Sequence, residues 1–406
     1  MEHPSDLARI SAGGWTARER WMLTGLVLLI LALAVLRVET RRMDGGRSPL
    51  KADIVVVHIA GLRSDSLAVD DLAADVGLDP DRLLVWSEAF APSGDSRRSL
   101  LSVLAGDLVL NLDQSLGSSS LPAVLAEAGW QTSLVTDGEL PPGIPAAFQQ
   151  VSSAEKRAAI PAAVAHLLED TPPGHPQFIF VHVGSTGTTL HDSTTDARAL
   201  RKSYEDLVVE LRGTVSRIAQ TLVSRDRPRL IAILGASGIE LGAHPEAPDR
   251  PWDDHLRVPF VLGLQGGSGL PWGEHSAMVQ TTDLSPTLLD LLDLRSRSEA
   301  AGDGVERTGV SLEGLVHGWE PPPIHERLFF ADIGHAAVRT RDWKLISPVS
   351  APWQLRDEAA MLFALTEDPA ERFDLAADRP LGPTGSDLLA RLREQLGRPE
   401  TIGDVR

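Results

Sequence analysis

Cysteine is absent from the 406-residue chain, which excludes disulfide bonds and thiolate metal sites and leaves the redox compartment open. Positive charge is scarce, since 38 Lys and Arg stand against 56 Asp and Glu for a net charge of −18. Because an acidic chain repels phosphate backbones, nucleic acid is not an expected partner. Hydrophobic residues make up 43% of the sequence, so the chain can build a sizeable core.

Long hydrophobic runs are also absent, with one exception near the N-terminus, the uncharged WMLTGLVLLILALAVL at residues 21–36. At about 1.5 Å per residue the run spans ~24 Å, a little short of a bilayer core, and the flanking Arg20 and Arg37 extend it by snorkelling. We therefore expect residues 21–38 to be a transmembrane signal anchor in a bacterial-type inner membrane. A cleaved signal peptide, with ALA at residues 32–34 as its cleavage site, and a buried core helix are the alternatives.

The expected anchor is flanked by a polar N-terminal tail, residues 1–20, and a linker, residues 39–51. More basic residues follow the anchor than precede it, which by the positive-inside rule places the C-terminal side in the cytoplasm. Long domains translocate regardless of local charge, however. We expect the main domain to lie outside the cytoplasm, with the orientation left open.

Beyond the linker, apolar strands alternate with helical patterns. The runs at residues 54–59 and 177–183 are typical of strands buried on both faces, and a long amphipathic helix is expected between residues 195 and 223. This alternation predicts an α/β fold, with a mostly parallel sheet sandwiched by helices over residues 52–320. The later pattern predicts a small antiparallel subdomain with a closing helix, residues 321–406.

Three predicted strand ends carry polar motifs, and ligands bind at the carboxyl ends of strands in such sheets. The motifs are HIAGLRSDSL from His58, AFAPSGDSRRSLLSVLAGD from Ala89 and LIAILGASGIELGAH from Leu230. In this order they resemble motifs of the sulfatase and phosphoethanolamine-transferase branch of the alkaline phosphatase superfamily, such as IDALRADHL, APSSWTRPSHASLLTG and TSDHGEELGEHG. WDDHLRVPFVLGLQG, TTDLSPTLLDLLDL, AVRTRDWKLI and LFALTEDPAERFDLA extend the likeness over about residues 52–398.

The resemblance implies a hydrolase or transferase in which a divalent metal activates a hydroxyl-type nucleophile that attacks phosphorus or sulphur. The first metal-ligand Asp of the family falls on Ala60, and the later Asp and His fall on Ala236 and Ser237. Because a methyl group cannot ligate a metal, we interpret these three as degenerate metal positions. We therefore expect no metal and no cofactor.

Ser96 falls at the nucleophile position of the resemblance. The five residues from Ser96 read SRRSL instead of the family's CxPSR, so a modified nucleophile is not expected, and a helix cap is the simpler role for Ser96. The family's H-x-PY element would follow the strand at 177–183. His191 lies near that place but out of register.

Arg63, Arg97 and His244 are the candidate substrate-binding residues, because Arg suits sulphate and phosphate. The alternatives are an ion pair of Arg63 with Asp65 and a plain loop position for His244. WDDHL at residues 252–256 is interpreted as the ordinary lead-in to RVP and not as a metal cluster.

We therefore expect a membrane-anchored, catalytically inactive pseudoenzyme that binds an anionic glycan, a lipid head group or an envelope protein. The first alternative is an active sulphuric- or phosphoric-ester hydrolase or transferase that uses Ca, Mg, Mn or Zn at a rearranged site. That alternative predicts that several of these side chains converge within about 5 Å around one ion: Asp65, Asp95, Ser96, His191, Glu240 and His244. The second alternative is a structural envelope module, which predicts an exposed apolar patch.

Overall fold

The computed structural model describes residues 49–78, 82–171, 174–184, 197–222, 227–247, 250–266, 273–297, 307–318, 324–377 and 379–397. The chain divides into two units, 1–49 and 50–406, and every element below belongs to the second. The predicted anchor at 21–38 lies outside the described residues, as does His191. Within the described stretches, no helix has the length and apolar character needed to cross a membrane.

An eight-stranded sheet forms the centre of the second unit. Its strands are β1 (Asp53–Ile59), β2 (Leu83–Phe90), β3 (Gln131–Thr136), β4 (Gln150–Ser153), β5 (Gln177–Val183), β6 (Arg229–Gly235), β7 (Phe260–Gln265) and β8 (Gly273–Gln280). Their order across the sheet is β4-β3-β5-β1-β6-β7-β2-β8. Neighbouring strands are parallel except where β7 pairs with β6 and β2, so the predicted mostly parallel sheet is confirmed.

β1 lies between β5 and β6, in register with both, and all of its residues are buried. Its side chains alternate between two layers. Ile54 and Val56 pack into one core, and Val55 and Val57 pack into the other. Burial on both faces explains why this strand is an uninterrupted apolar run in the sequence.

Helices cover both faces of the sheet. In chain order the described helices are α1 (Val69–Asp75), α2 (Ser96–Ala105), α3 (Leu121–Glu127), α4 (Ile160–Asp170), α5 (Ala197–Leu222), α6 (Asp253–Leu256), α7 (Leu284–Leu291), α8 (Glu313–Val316) and α9 (Gly382–Leu396). The helices α2, α3 and α7 pack on the Ile54 face, whereas α1, α4 and α5 pack on the Val55 face. The predicted α/β sandwich is therefore confirmed.

A second sheet follows later in the chain. Its strands are β9 (Leu328–Asp332), β10 (His335–Arg339), β11 (Trp343–Ser350), β12 (Gln354–Leu355) and β13 (Met361–Ala364). All of its pairings are antiparallel, as the sequence pattern after residue 320 predicts. Helix α9 packs on one face through Leu388 and Leu392, and the other face packs against the main domain around Phe90 and Trp252.

A buried ion cluster joins the second sheet to α6. The Nζ atom of Lys344, a fully buried side chain on β11, lies 2.8 Å from Asp253 and 2.7 Å from Glu371. Arg339 contacts the other carboxylate oxygen of Asp253 at 3.1 Å. Burial raises the pKa of Glu371 to about 7, whereas for Asp253 the attraction of Lys344 and Arg339 outweighs burial and lowers the pKa. The cluster fixes the position of α6 relative to the second sheet.

Candidate functional site

The three motif-bearing strand ends meet at one edge of the main sheet, around a cavity of about 790 Å³ that we term the Ser96 cavity. Ala60 follows β1, Ser96 begins α2 and Ser237 lies just after β6, and all three line it. Asp137, after β3, and Gly184, after β5, line it as well. The cavity lies where the carboxyl ends of parallel strands meet, which is the usual ligand position in such sheets.

Ala60, Ala236 and Ser237 stand where the sulfatase-like resemblance requires metal ligands. The backbone N–H of Ala60 donates to a carbonyl of β5 at 2.9 Å, and that of Ala236 donates to a carbonyl of β1 at 2.7 Å. The hydroxyl of Ser237 accepts the N–H of Gly61 at 3.3 Å. Two methyl groups and one engaged hydroxyl do not fit a divalent metal, which requires carboxylate or imidazole donors.

Ser96 is the first residue of α2, and the helix cap is Asp95, whose carboxylate accepts the Arg97 N–H at 3.0 Å. The expectation that Ser96 caps the helix is therefore wrong by one residue, because the Asp side chain already satisfies the free amide. Ser96 is half-buried, and its hydroxyl has no hydrogen-bond partner among the described residues. The nucleophile position keeps a free hydroxyl, but its neighbours at the strand ends offer no metal site.

The turn before α2 is held by Asp332, which comes from β9 of the second sheet and lines the cavity. The Gly94 N–H donates to one of its oxygens at 3.0 Å, and the Ile333 N–H donates to the other at 2.8 Å. A Cβ atom at Gly94 would lie 2.6 Å from this carboxylate, so the close approach requires glycine. Burial raises the pKa of Asp332 to about 6.

Two buried histidines lie side by side next to the cavity. His58 of β1 and His182 of β5 are register partners, and their Nδ1 atoms are 3.2 Å apart. Burial lowers the pKa of both rings, that of His182 to about 4, and the proximity of His182 lowers the pKa of His58 further. Both rings are therefore neutral near pH 7, and one Nδ1–H donates to the other ring. The Nε2 atom of His182 has no partner among the described residues.

The charged side chains that line the Ser96 cavity are mostly acidic. The lining includes one basic side chain, Arg97, and four acidic ones, Asp95, Asp137, Glu139 and Asp332. Arg97 itself pairs with Asp95 at 3.2 Å and with Glu139 at 3.5 Å, so its charge is already matched. Arg97 lies at the predicted place. Asp137 is likewise paired, with Arg157 at 3.9 Å, so the negative charge in excess that an entering anion would meet is that of Glu139 and Asp332.

Arg63 lies outside the Ser96 cavity. Its guanidinium contacts Asp65 at 2.8 Å, Asp254 at 3.0 Å and the carbonyl oxygen of Ile239 at 3.0 Å. The ion pair with Asp65, one of the two sequence-based alternatives for Arg63, is confirmed. The Arg63 side chain lines two smaller cavities beside α5 and β2, away from Ser96.

His244 also lies outside the Ser96 cavity. Its ring stacks on Trp252 with centroids 4.1 Å apart, and its Nε2 atom donates to the carbonyl oxygen of Ala370 at 2.9 Å. Among the described residues, the one group of His, Asp and Glu side chains spaced to hold a metal is Glu240, His244 and Asp254. Asp254 belongs to WDDHL, the segment that the sequence indicates is the ordinary lead-in to RVP.

The side chains expected to converge in a rearranged active site lie in separate places. Asp95 and Ser96 line the Ser96 cavity, whereas Glu240 and His244 lie in the separate group with Asp254. Within the described part of the chain, the rearranged site that the hydrolase alternative requires is not assembled.

The fold is shared with solved hydrolases. A 2-O GAG sulfatase superposes with a TM-score of 0.65 at 15% identity, over 86% of this chain and 91% of that chain. The phosphonate monoester hydrolase of Agrobacterium radiobacter superposes with a TM-score of 0.63 at 15% identity, over 85% and 96% of the two chains. The chain therefore has the same fold as this sulfatase and this phosphonate monoester hydrolase. The resemblance drawn from the sequence motifs is thereby confirmed.

Sequence comparison gives weaker matches than the fold. No family model matches the chain. The Ulvan-active sulfatase of Formosa agariphila is 24% identical over 179 residues, which is 41% of this chain and 32% of that protein. The match therefore spans about a third of this relative's length.

Several side chains that line the Ser96 cavity were not predicted from the sequence. Asp137 directly follows β3, and His182 is the penultimate residue of β5, so their place at strand ends was the signal that could have identified them. Asp332 belongs to the second sheet, and no local pattern connects it with α2. Its role follows only from the packing of the two sheets.

The substitution Asp332→Asn should change how stability depends on pH. The pKa of Asp332 is about 6 in the fold against a usual 3.8, so the wild type loses stability as pH rises from about 4 to about 6. This loss is on the order of 2–3 kcal/mol, and the variant lacks it. We expect the free energy of unfolding of the variant, relative to the wild type, to rise by that amount between pH 4 and pH 7 in urea denaturation. Parallel pH profiles for the two proteins would contradict this assignment.

Proposed function

We propose that this protein is a non-catalytic protein with the sulfatase fold, which binds a ligand in the Ser96 cavity without cleaving it. The observation that carries the proposal is the presence of Ala60, Ala236 and Ser237 at the strand ends where metal ligands are required. A metal-dependent ester hydrolase needs a cation to lower the pKa of the nucleophile and to neutralise developing charge. Among the described side chains that line the cavity, no three His, Asp or Glu residues lie close enough together to hold a metal ion.

One observation favours hydrolysis as a second candidate function. The free hydroxyl of Ser96 lies at the N-terminus of α2, where the helix dipole stabilises negative charge. The unpartnered Nε2 atom of His182 belongs to the same cavity. The acidic lining opposes this function, because Asp95, Glu139 and Asp332 would repel the charge that develops on a sulphate or phosphate ester. We therefore rank hydrolysis second.

We infer that the ligand is an uncharged or amine-bearing saccharide. Carboxylates accept hydrogen bonds from hydroxyl and ammonium groups, and the cavity is rich in them. Two similar proteins are named for glycans, as a 2-O GAG sulfatase and an Ulvan-active sulfatase, which supports a saccharide as the ligand. Because a sulfatase acts on sulphated chains, the inferred lack of negative charge rests on the cavity lining alone. The anionic glycan and lipid head group expected from the sequence have less support, because Arg97 is already paired with Asp95 and Glu139.

A purely structural role is less well supported. The large hydrophobic side chains exposed among the described residues lie on separate segments: Val69, Val151, Val209, Val310, Ile333 and Phe373. They are single side chains, which are normal on a protein surface. An envelope protein as a partner therefore stays a proposal without a surface assigned to it.

We also propose that residues 21–38 anchor the protein in an inner membrane of bacterial type, with the main domain outside the cytoplasm. The support is the uncharged run between Arg20 and Arg37, whose length approaches that of a bilayer core.

The full chain should not hydrolyse sulphate or phosphate esters. We expect 4-nitrophenyl sulphate, 4-nitrophenyl phosphate and 4-nitrophenyl phenylphosphonate to release nitrophenol at the rate of buffer alone, with Ca, Mg, Mn or Zn added in turn. The wild type and Ser96→Ala should behave alike, because no metal site activates the hydroxyl. Metal-dependent turnover that Ser96→Ala abolishes would establish the hydrolase function instead.

Filling the Ser96 cavity should weaken saccharide binding. Ser96→Trp places an indole in the cavity, and Ser386→Trp places the same ring at an exposed position on α9 as a matched control. Isothermal titration would use chitosan oligosaccharides, N-acetylglucosamine oligomers and heparin oligosaccharides as amine-bearing, neutral and sulphated probes.

We expect binding of an amine-bearing or neutral probe that Ser96→Trp weakens about tenfold or more, which is at least ~1.4 kcal/mol, and that Ser386→Trp leaves unchanged. A preference for heparin oligosaccharides would contradict the inferred ligand class. Binding that Ser96→Trp does not affect would contradict the cavity.

The anchor proposal predicts that the full chain sediments with membranes and resists carbonate extraction, whereas a chain that lacks residues 1–38 does not. An added protease should digest the main domain in intact spheroplasts if that domain lies outside the cytoplasm. Digestion that requires lysis would reverse the orientation, and carbonate release of the full chain would contradict the anchor.

A further inference from the structure

Glu240, His244 and Asp254 form a compact donor set outside the Ser96 cavity, where the loop after β6 meets α6. One ligand atom of each residue lies within 4.8 Å of those of the other two. The set combines one imidazole with two carboxylates. Mixed nitrogen and oxygen donors of this kind suit a divalent transition metal such as Zn²⁺, and three protein ligands leave a fourth position open.

The hydrogen bonds of His244 decide which ring nitrogen is free. Nε2 lies 2.9 Å from the carbonyl oxygen of Ala370, which can only accept, so Nε2 carries the proton. Nδ1 therefore carries a lone pair. This atom is buried, and it has no hydrogen-bond partner among the described residues. A buried lone pair without a donor is costly, and a metal ion is one group that would satisfy it.

The orientation of the His244 ring is fixed in the way that metal-binding histidines are usually held. One ring nitrogen donates to a backbone carbonyl, which sets the tautomer and raises the basicity of the other. The ring also lies flat on Trp252, with an interplanar angle of 10°. The side chain is thus oriented before any ion arrives.

The two carboxylates are held in place by separate contacts. Glu240 is 6% exposed, and its oxygens accept the backbone N–H groups of Gly242 and His244 at 2.8 Å each. One oxygen of Asp254 accepts Arg63 at 3.0 Å, and Arg63 is shared with a further acid, Asp65. Each carboxylate keeps lone pairs beyond these bonds. The negative charge of the set is therefore only partly matched.

We propose that Glu240, His244 and Asp254 bind one divalent transition metal ion, through His244 Nδ1 and a carboxylate oxygen of each acid. The ion joins the loop after β6 to α6. Through the bond between His244 and Ala370 it also supports the segment that follows the second sheet. A cavity of about 360 Å³ that Asp254 lines gives the ion a path of entry. This site is separate from the Ser96 cavity and does not depend on the proposed ligand.

The test is zinc binding by the full chain, measured by equilibrium dialysis with elemental analysis and by competition with a chromophoric chelator. His244→Phe keeps the aromatic ring on Trp252 but removes both nitrogens, and Asp254→Asn removes one carboxylate with little change in shape. Asp65→Asn is the matched control, because Asp65 shares Arg63 with Asp254 but lies outside the donor set.

We expect one tightly bound Zn²⁺ per wild-type chain. Loss of one ligand should weaken binding about tenfold or more in His244→Phe and in Asp254→Asn, and Asp65→Asn should bind as the wild type does. If His244→Phe fails to fold, Asp254→Asn decides the outcome, because its side chain is partly exposed.

Equal zinc affinity in the wild type and Asp254→Asn would overturn the proposal. An equal loss in Asp65→Asn would also overturn it, because the effect would then be general electrostatic attraction. Ser96→Trp should retain full zinc binding, and a loss there would move the ion to the Ser96 cavity and overturn this assignment.

Discussion

The register of β1 with β5 and β6 is the constraint on which the candidate site depends. Hydrogen bonding between the strands continues past their ends, since Ala60 donates to β5 and Ala236 donates to β1. These bonds fix which side chains stand at the edge of the sheet. A slip of one residue would turn every side chain of a doubly buried strand toward the opposite layer. No local rearrangement can therefore replace these methyl groups with ligands, and any substitute must come from another part of the chain.

The centre of the fold is predictable from the sequence because its signals are local. Strands buried on both faces are short apolar runs, and β5 has the bounds that its run predicts. The motifs at Ala60 and Ser237 directly follow such runs, whereas the Ser96 motif follows the partly exposed β2 and was placed at the same edge by the order of the motifs. The sequence predicts the N-cap of α2 at Ser96, one residue after the actual cap, Asp95. The two are easily exchanged because Asp and Ser are both good caps and are adjacent here.

The outer parts of the fold depend on contacts between residues that are distant in sequence, so local sequence patterns do not predict them. β2 and β8 include partly exposed residues and so lack an uninterrupted apolar run. β7 runs antiparallel to both of its neighbours, β6 and β2, and its own residues carry no signal for that direction. Asp332 reaches the turn at Gly94 across 238 positions of sequence. The approach of Asp254 to His244 likewise follows from the packing of α6 and not from the motif in which Asp254 lies.

A buried ion cluster stabilises the fold, whereas the acids of a metal site destabilise it when no metal is bound. Removing one member of the buried Lys344, Asp253 and Glu371 cluster would leave a charge uncompensated, at a cost of about 3–5 kcal/mol, so the fold requires the set. Acids at a metal site repel one another when no cation is bound, and alanine in their place relieves that repulsion. At the ends of β1 and β6, Ala60 and Ala236 stand where the sulfatase-like resemblance requires acids, whereas the buried ion cluster is present. By the same reasoning, a bound cation would add to the stabilisation that Arg63 and the backbone N–H groups already give to the carboxylates of Asp254 and Glu240.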